Sequence, residues 1–102
     1  MAKVAVTARV KAKHGKAEEL SAAFRPLLEQ VQSEPGTLLY AVNRSTDDPH
    51  LFWVYEVYAD GDAFAAHSGS DAMAAAGPVL GELIAESELI VGEPLFGKSL
   101  PG

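Results

Sequence analysis

The segment LFWVYEVY, residues 51–58, restricts the fold of this chain more than any other stretch. Its β-branched and aromatic residues favour a strand, in which successive side chains point to opposite faces of a sheet. One face would carry Leu51, Trp53, Tyr55 and Val57, and the other Phe52, Val54, Glu56 and Tyr58. Because both faces are mostly apolar, we expect this strand to lie in a sheet that is covered on both sides.

The first half of the chain shows three further periodic segments. Residues 3–11 alternate apolar and polar side chains, which is typical of a half-buried strand. Residues 16–34 place apolar side chains at helical spacing, and Pro26 predicts a kink because it lacks a backbone donor. Residues 37–45 form a second predicted strand, and the turn sequence TDDPH joins them to residues 51–58 as a hairpin.

The second half predicts two helical pieces and a final strand. Asp60 is a typical N-cap residue for a short helix over residues 61–68. A second helical piece is expected to reach about residue 86, divided by the Gly-Pro pair at 77–78, and a strand should follow over residues 87–96. The chain thus reads strand, helix, strand, strand, helix, strand.

This order predicts the α+β class, as a ferredoxin-like split βαβ fold with an antiparallel four-stranded sheet. Helices in such a fold cover one face of the sheet only. Residues 51–58 and the last strand are apolar on both sides, so the second face needs another cover. We expect a homodimer in which two copies pack sheet to sheet.

Composition narrows the class of protein. A chain of 102 residues fits one domain, residues 1–102, in which residues 94–102 form a tail. The net charge is −6 without any run of Lys or Arg, which argues against nucleic acid and anionic membrane surfaces as partners. No apolar stretch has the length of a membrane span, and the start of the chain lacks a signal-peptide pattern, so we expect a cytoplasmic protein.

Several kinds of chemistry are absent from the sequence. There is no cysteine, which excludes disulfides and thiolate nucleophiles. The three histidines, His14, His50 and His67, lack metal-ligand spacing, and no phosphate-binding or nucleophile-elbow motif occurs. We therefore predict no metal and no cofactor.

Glu56 and His67 are the candidate polar groups of a pocket. Glu56 shares its strand face with apolar side chains, so a covered face would desolvate the carboxylate, raise its pKa and make it need a donor. His67 follows Phe64 by three residues, which places both on the inward side of the short helix. A buried histidine bonded to a backbone carbonyl and a strand glutamate facing solvent are the alternatives.

Aromatic and amide side chains surround this pair in the sequence. Trp53, Tyr55, Tyr58 and Phe64 are candidates for a ring-binding slot, although aromatic residues also pack in ordinary cores. Asn43, near the end of the second predicted strand, is a candidate donor to a substrate oxygen, or else it bonds to loop carbonyls.

Residues 35–70 also carry a family resemblance. The segment contains Pro-Gly, then Y-x-V-x-R from Tyr40, a DDP turn, Y-E-x-Y-x-D from Tyr55, and A-F-x-x-H ending at His67. This pattern resembles the antibiotic biosynthesis monooxygenase domain family. The resemblance implies a dimeric α+β barrel, a homodimer of ferredoxin-like protomers packed sheet to sheet, with an apolar pocket and usually no metal, flavin or haem. Glu56 and His67 fall on the recurring glutamate and histidine of that family.

One departure from the family limits what can be carried over. Many members have a second histidine in an S-P-H segment, where this chain has Ser70, Asp71 and Ala72. A mechanism that needs two histidines is therefore not implied for this chain.

The expected activity follows from these residues and the resemblance. We expect a cofactor-independent monooxygenase that uses molecular oxygen on a small quinol-like or polyphenolic molecule. His67 would be the base or the hydrogen-bond donor at the phenol oxygen, and Glu56 would orient it. Asn43 would polarise a second oxygen, and the four aromatic residues would shape the slot. The alternatives are an isomerase on the same fold and a dimeric small-molecule-binding or stress protein without activity.

Overall fold

The alternating and helical patterns of the sequence form eight elements in the computed structural model, which describes residues 2–98. They are β1 (Val4–Ala12), α1 (Ala17–Ala23), α2 (Arg25–Val31), β2 (Thr37–Arg44), β3 (Leu51–Tyr58), α3 (Gly61–Ser68), α4 (Asp71–Leu83) and β4 (Ile84–Gly92). No helix in this part of the chain is long and apolar enough to cross a membrane.

The four strands form one antiparallel sheet in the order β2-β3-β1-β4. The predicted α+β ferredoxin-like class, with its four-stranded antiparallel sheet, is confirmed. Strand β3 lies between β1 and β2, and its register pairs Glu56 with Val6 on one side and Tyr40 on the other. Glu56 thus stands in the middle of the sheet rather than at an edge.

The core lies between the sheet and the helices. Leu20, Phe24 and Leu27 of the helices pack against Val10, Phe52 and Val54 of the strands, and all six are buried. Removing one such side chain from water stabilises the fold by roughly 1.5–3 kcal/mol.

Within residues 2–98, the opposite face of the sheet is left largely open, although Val57 on this face is buried. Leu39, Tyr55 and Ile90 point to this side and remain 38%, 51% and 54% exposed. The sheet-to-sheet homodimer that would cover them stays a prediction.

The two internal prolines have different effects on their helices. The long predicted helix breaks at Phe24, and Pro26 stands in the first turn of α2, where a missing backbone N–H costs nothing. Pro78, however, lies inside α4, which continues past it to Leu83, so the predicted division at 77–78 is wrong. The helix tolerates the lost bond there because Gly77 and Pro78 are exposed and the next turn is anchored by buried Leu83.

The bounds of the last elements also differ from the prediction. Helix α4 ends at Leu83, and β4 covers Ile84–Gly92 rather than residues 87–96. The early start has a tertiary cause, because Ile84 pairs with Ala12 at the end of β1. Residues 93–98 continue without regular structure as the first part of the expected tail, and residues 99–102 lie outside the described residues.

Candidate functional site

His67 lies in the last turn of α3 and faces the sheet. The Asp60 carboxylate caps this helix by accepting from the Ala63 N–H at 2.8 Å, so the helix starts where the sequence indicates. The His67 side chain is 4% exposed, and its ring contacts the rings of Tyr40 and Tyr58, with centroids 5.8 and 5.4 Å away. These two rings hold the imidazole between the helix and the strands.

Glu56 reaches the same place from β3. It is 7% exposed, its Oε1 accepts a hydrogen bond from the Tyr58 hydroxyl, and the same oxygen lies 3.9 Å from His67 Nε2. That separation is too long for a hydrogen bond. Burial raises the pKa of Glu56, while the bond from Tyr58 and the nearness of His67 act in the opposite direction.

A second carboxylate, Glu34, binds the other nitrogen of His67. It lies between α2 and β2, and its Oε1 is 2.9 Å from His67 Nδ1. The same carboxylate accepts hydrogen bonds from Thr37 Oγ1 at 2.7 Å and from Gln30 Nε2 at 3.1 Å. Glu34 therefore makes the direct contact with the imidazole that the sequence analysis expected of Glu56, while the role of Glu56 beside His67 stays a prediction.

The charge of Glu34 bears on which tautomer a neutral His67 adopts. Burial alone would raise the pKa of Glu34, but the bonds from Thr37, Gln30 and His67 outweigh it and lower that pKa below its usual value. An ionised carboxylate only accepts, so the proton of neutral His67 must be on Nδ1. The Nε2 lone pair then points toward Glu56 and the space beside it.

That space is an apolar cavity between the sheet and the helices, called here the inner cavity. Its volume is about 170 Å³. Its polar end is formed by Glu56, His67 and Tyr40, and burial raises the pKa of the Tyr40 hydroxyl, which favours its neutral form. The remaining wall includes Val10, Phe24, Leu27, Val54, Met73 and Leu80.

The residues predicted to form the slot separate into two groups. Phe64 lines the inner cavity, and Tyr58 is fully buried beside it, with ring centroids 5.2 Å apart. Trp53 and Tyr55 do not lie there, because strand alternation turns them to the open face of the sheet.

Asn43 also lies away from the inner cavity. It pairs with Trp53 across the β2–β3 ladder, and its Nδ2 donates to the backbone carbonyls of Trp53 at 3.3 Å and Ala41 at 3.2 Å. The predicted alternative was a bond to loop carbonyls, and the amide instead bonds to carbonyls of the two strands.

Glu34 and Tyr40 are the site residues that the sequence analysis missed. Tyr40 carried a signal, since hairpin pairing places it beside Glu56 on the same face. The sequence signal for Glu34 was weak. It lies four residues after Gln30 and three before Thr37, spacings at which side chains can bond. Nothing local shows that Glu34 meets a histidine 33 residues later in the chain.

The His, Asp and Glu side chains of residues 2–98 do not gather into a metal site. Within that range, no group of three or more His, Asp or Glu side chains is placed to hold a metal ion. The two carboxylates beside His67 instead bind side chains, Glu34 through three donors and Glu56 through Tyr58.

Comparisons with known proteins identify the family and the fold. Residues 3–78 match the model of a family described as antibiotic biosynthesis monooxygenase. Among solved structures, a candidate antibiotic biosynthesis monooxygenase from Caulobacter crescentus CB15 is 31% identical with a TM-score of 0.86, covering 93% of this chain and 92% of that one. A search of curated proteins gave no match.

Two other solved structures have the same fold. Protein SO0527 from Shewanella oneidensis is 28% identical with a TM-score of 0.86, and the match covers 90% of each chain. A candidate antibiotic biosynthesis monooxygenase from Nitrosomonas europaea is 26% identical with a TM-score of 0.86, covering 91% of this chain and 99% of that one.

Proposed function

Because the chain belongs to the antibiotic biosynthesis monooxygenase family, we propose that it is a cofactor-independent monooxygenase acting on a quinol-like or polyphenolic molecule. The carrying observation is the polar end of the inner cavity, where Nε2 of His67 and the Glu56 carboxyl face an otherwise apolar space. A phenol fits these two features, since it offers one acidic hydroxyl on an apolar ring.

The reaction can be written without an external reductant. His67 Nε2 takes the hydroxyl proton of a phenol, and the electron-rich phenolate passes electrons to dioxygen. A C–O bond forms at the ring carbon para to the hydroxyl, giving a peroxide. The O–O bond then breaks, that carbon loses its hydrogen, and water leaves. One oxygen atom ends in a quinone carbonyl and the other in water, so the substrate supplies all four electrons.

The protein contributes proton transfer and the exclusion of water. The apolar wall keeps solvent from the peroxide, and the low dielectric strengthens the interaction of the phenolate with protonated His67. Tyr40 and Tyr58 remain neutral, because burial raises the pKa of each hydroxyl. They therefore do not compete with the substrate as phenolates.

The size of the cavity limits how the substrate is held. Pockets for drug-sized ligands usually measure roughly 300–1,000 Å³, and the inner cavity has about 170 Å³. A single ring fits inside it, and a fused polyphenol would extend outward past Leu89, a lining residue that is 61% exposed. The homodimer belongs to the same proposal, because a second copy on the open face would bury Tyr55 and Ile90.

Oxygen consumption tests the proposed function. Purified protein is mixed in an oxygen electrode with a panel of phenols and polyphenols that each carry a hydrogen on the ring carbon para to a hydroxyl. The quinone is measured by absorbance, and hydrogen peroxide is assayed and should be absent. We expect oxygen uptake above the spontaneous rate with at least one compound, and one quinone formed for each oxygen consumed. Binding of the same compounds without oxygen uptake would contradict the proposal. It would favour an isomerase if the ligand is converted anaerobically, and a binding protein if it is not.

A further inference from the structure

His67 separates two cavities of different character. Its Nε2 side faces the inner cavity, and its Nδ1 side lines a second cavity of about 310 Å³, called here the outer cavity. Glu34, Gln30 and Thr37 supply polar groups to this second space. The imidazole is the one ring that lines both cavities among the described residues.

The outer cavity opens toward solvent. Its rim includes Ser33, Pro35 and Ala66, all of which are exposed. The Glu34 side chain is 15% exposed, against 4% for His67, so exposure increases from the imidazole to the carboxylate. A water molecule in this space can reach Glu34 without entering the inner cavity.

We propose that Glu34 holds His67 as the Nδ1–H tautomer and passes to water in the outer cavity the proton that His67 gains from a substrate in the inner cavity. The second half of this inference, the transfer of the substrate proton to water, rests on the proposed function. The first half, the tautomer, is inferred from the 2.9 Å contact between His67 Nδ1 and the Glu34 carboxylate and does not depend on a substrate. Glu34 is therefore a positioning residue, because it acts through His67.

The proton balance is as follows. The substrate O–H bond breaks and an N–H bond forms at His67 Nε2, so the ring carries two protons. The Nδ1–H bond then breaks toward Glu34 Oε1, and Glu34 releases this proton to water. The proton left on Nε2 is returned when the peroxide loses water, and Nδ1 regains its proton from the outer cavity. Each turnover thus leaves the protein in its starting state.

The surroundings of His67 agree with this direction of transfer. On the inner side the ring faces Glu56 and Tyr58, which are buried, and Tyr40, which lines the inner cavity with Glu56. On the outer side it faces Glu34 alone among the ionisable groups described. A proton that moves toward Glu34 approaches solvent, while one that moves toward Glu56 remains buried.

Nitrogen NMR of the imidazole tests the tautomer without any substrate. In ¹⁵N-labelled wild-type protein at neutral pH, two-bond ¹⁵N–¹H correlations should show His67 Nδ1 protonated and Nε2 unprotonated. In Glu34→Leu, which removes the acceptor, a population with Nε2 protonated should appear. A wild-type ring protonated on Nε2, or a Glu34→Leu spectrum identical to the wild type, would overturn the positioning role.

Glu34→Gln separates positioning from proton release. Its amide oxygen still accepts from Nδ1–H, so the tautomer should be unchanged, but it cannot carry the proton outward. We expect kcat to fall about 10- to 100-fold with KM little changed, the scale measured for carboxylates that orient metal-binding histidines. Wild-type kcat in this variant would overturn the proton path.

Glu29→Gln is the matched control, since Glu29 is an exposed glutamate on α2 and its loss removes the same charge. It should leave both the spectrum and kcat unchanged. If no substrate is ever turned over, the proposed function fails while the NMR result still decides the tautomer.

Discussion

The two faces of the sheet use similar residues for different purposes. On the face covered by the helices, Glu56 and Tyr58 are buried and bonded to each other, and His67 closes over them. On the open face, Tyr55 has the same ring as Tyr58 but is 51% exposed. The comparison shows that position in the alternation, rather than residue type, determines whether a tyrosine belongs to the candidate site.

Polar groups on the covered face lose their hydration. This desolvation shifts the pKa values on which the chemistry of the site depends. Burial raises the pKa of Glu56, whereas three hydrogen bonds keep the Glu34 carboxylate ionised at the edge of the same region. On the open face, large apolar side chains such as Leu39, Tyr55 and Ile90 are exposed, which favours association. Variants on the two faces should therefore fail in different ways.

The largest effect is expected on the open face. Tyr55→Asp would place an unpaired charge in the proposed sheet-to-sheet interface, at a typical cost of roughly 3–5 kcal/mol, or at least about 100-fold in dimer affinity. Light scattering and sedimentation should show a dimer for the wild type and a monomer for the variant. Tyr55→Phe is the control and should remain dimeric. A wild-type monomer at micromolar concentration would remove the basis of this prediction.

On the covered face, His67→Ala should abolish most of the activity. Losing a general base typically costs about 100- to 10,000-fold in turnover, and the oligomeric state should not change, because His67 does not lie on the open face. His14→Ala replaces an exposed turn histidine and should keep wild-type turnover. Circular dichroism checks that both variants are folded. Unchanged turnover in folded His67→Ala would make His67 an ordinary core residue.

A smaller effect should follow from Gly36, which sits between Glu34 and the start of β2. A Cβ at this position would stand 2.5 Å from the Ala63 Cβ of α3, so Gly36→Ala must push apart the segments that carry Glu34 and His67. We expect a loss of about 1–3 kcal/mol in unfolding free energy. Gly77→Ala, where a Cβ meets nothing within 4 Å, should be neutral or stabilising. Urea unfolding measures both, and equal losses would show that the contact is unimportant.

The smallest effects concern pH and the two carboxylates of the covered face. The raised pKa of Glu56 means that the folded state binds this proton more tightly than the unfolded state, so Glu56 costs stability as pH rises above the usual glutamate value. Glu56→Gln should therefore gain stability over the wild type as pH increases from 4 to 8, a range set by the ordinary glutamate pKa of about 4.3.

Glu34 should behave in the opposite way. Its lowered pKa means that its contribution is present above the unfolded pKa and is lost as pH falls through the folded pKa. Glu34→Gln should thus be less stable than the wild type at neutral pH, and the gap should close in acid. Thermal unfolding across this pH range measures both variants. If the stability difference from the wild type changed with pH in the same way for both variants, the different environments assigned to Glu56 and Glu34 would be contradicted.

The sequence by itself determined the elements whose signals are local. Alternation defines β3 and its two faces, Asp60 defines the start of α3, and Pro26 defines the break between α1 and α2. These features depend on the backbone of a few neighbouring residues, so they can be read without knowing the rest of the fold. The same alternation places Trp53 and Tyr55 on the face opposite Glu56. It excludes them from the candidate site only once the face covered by the helices is known.

Only the tertiary structure decided which polar groups meet at His67. Glu34 and His67 are 33 residues apart, and their contact depends on how closely the segment at Gly36 approaches α3. The continuation of α4 through Pro78 and the start of β4 at Ile84 likewise depend on burial of Leu83 and on pairing with Ala12. Packing and strand pairing join residues that are distant in the chain, so no local pattern specifies them.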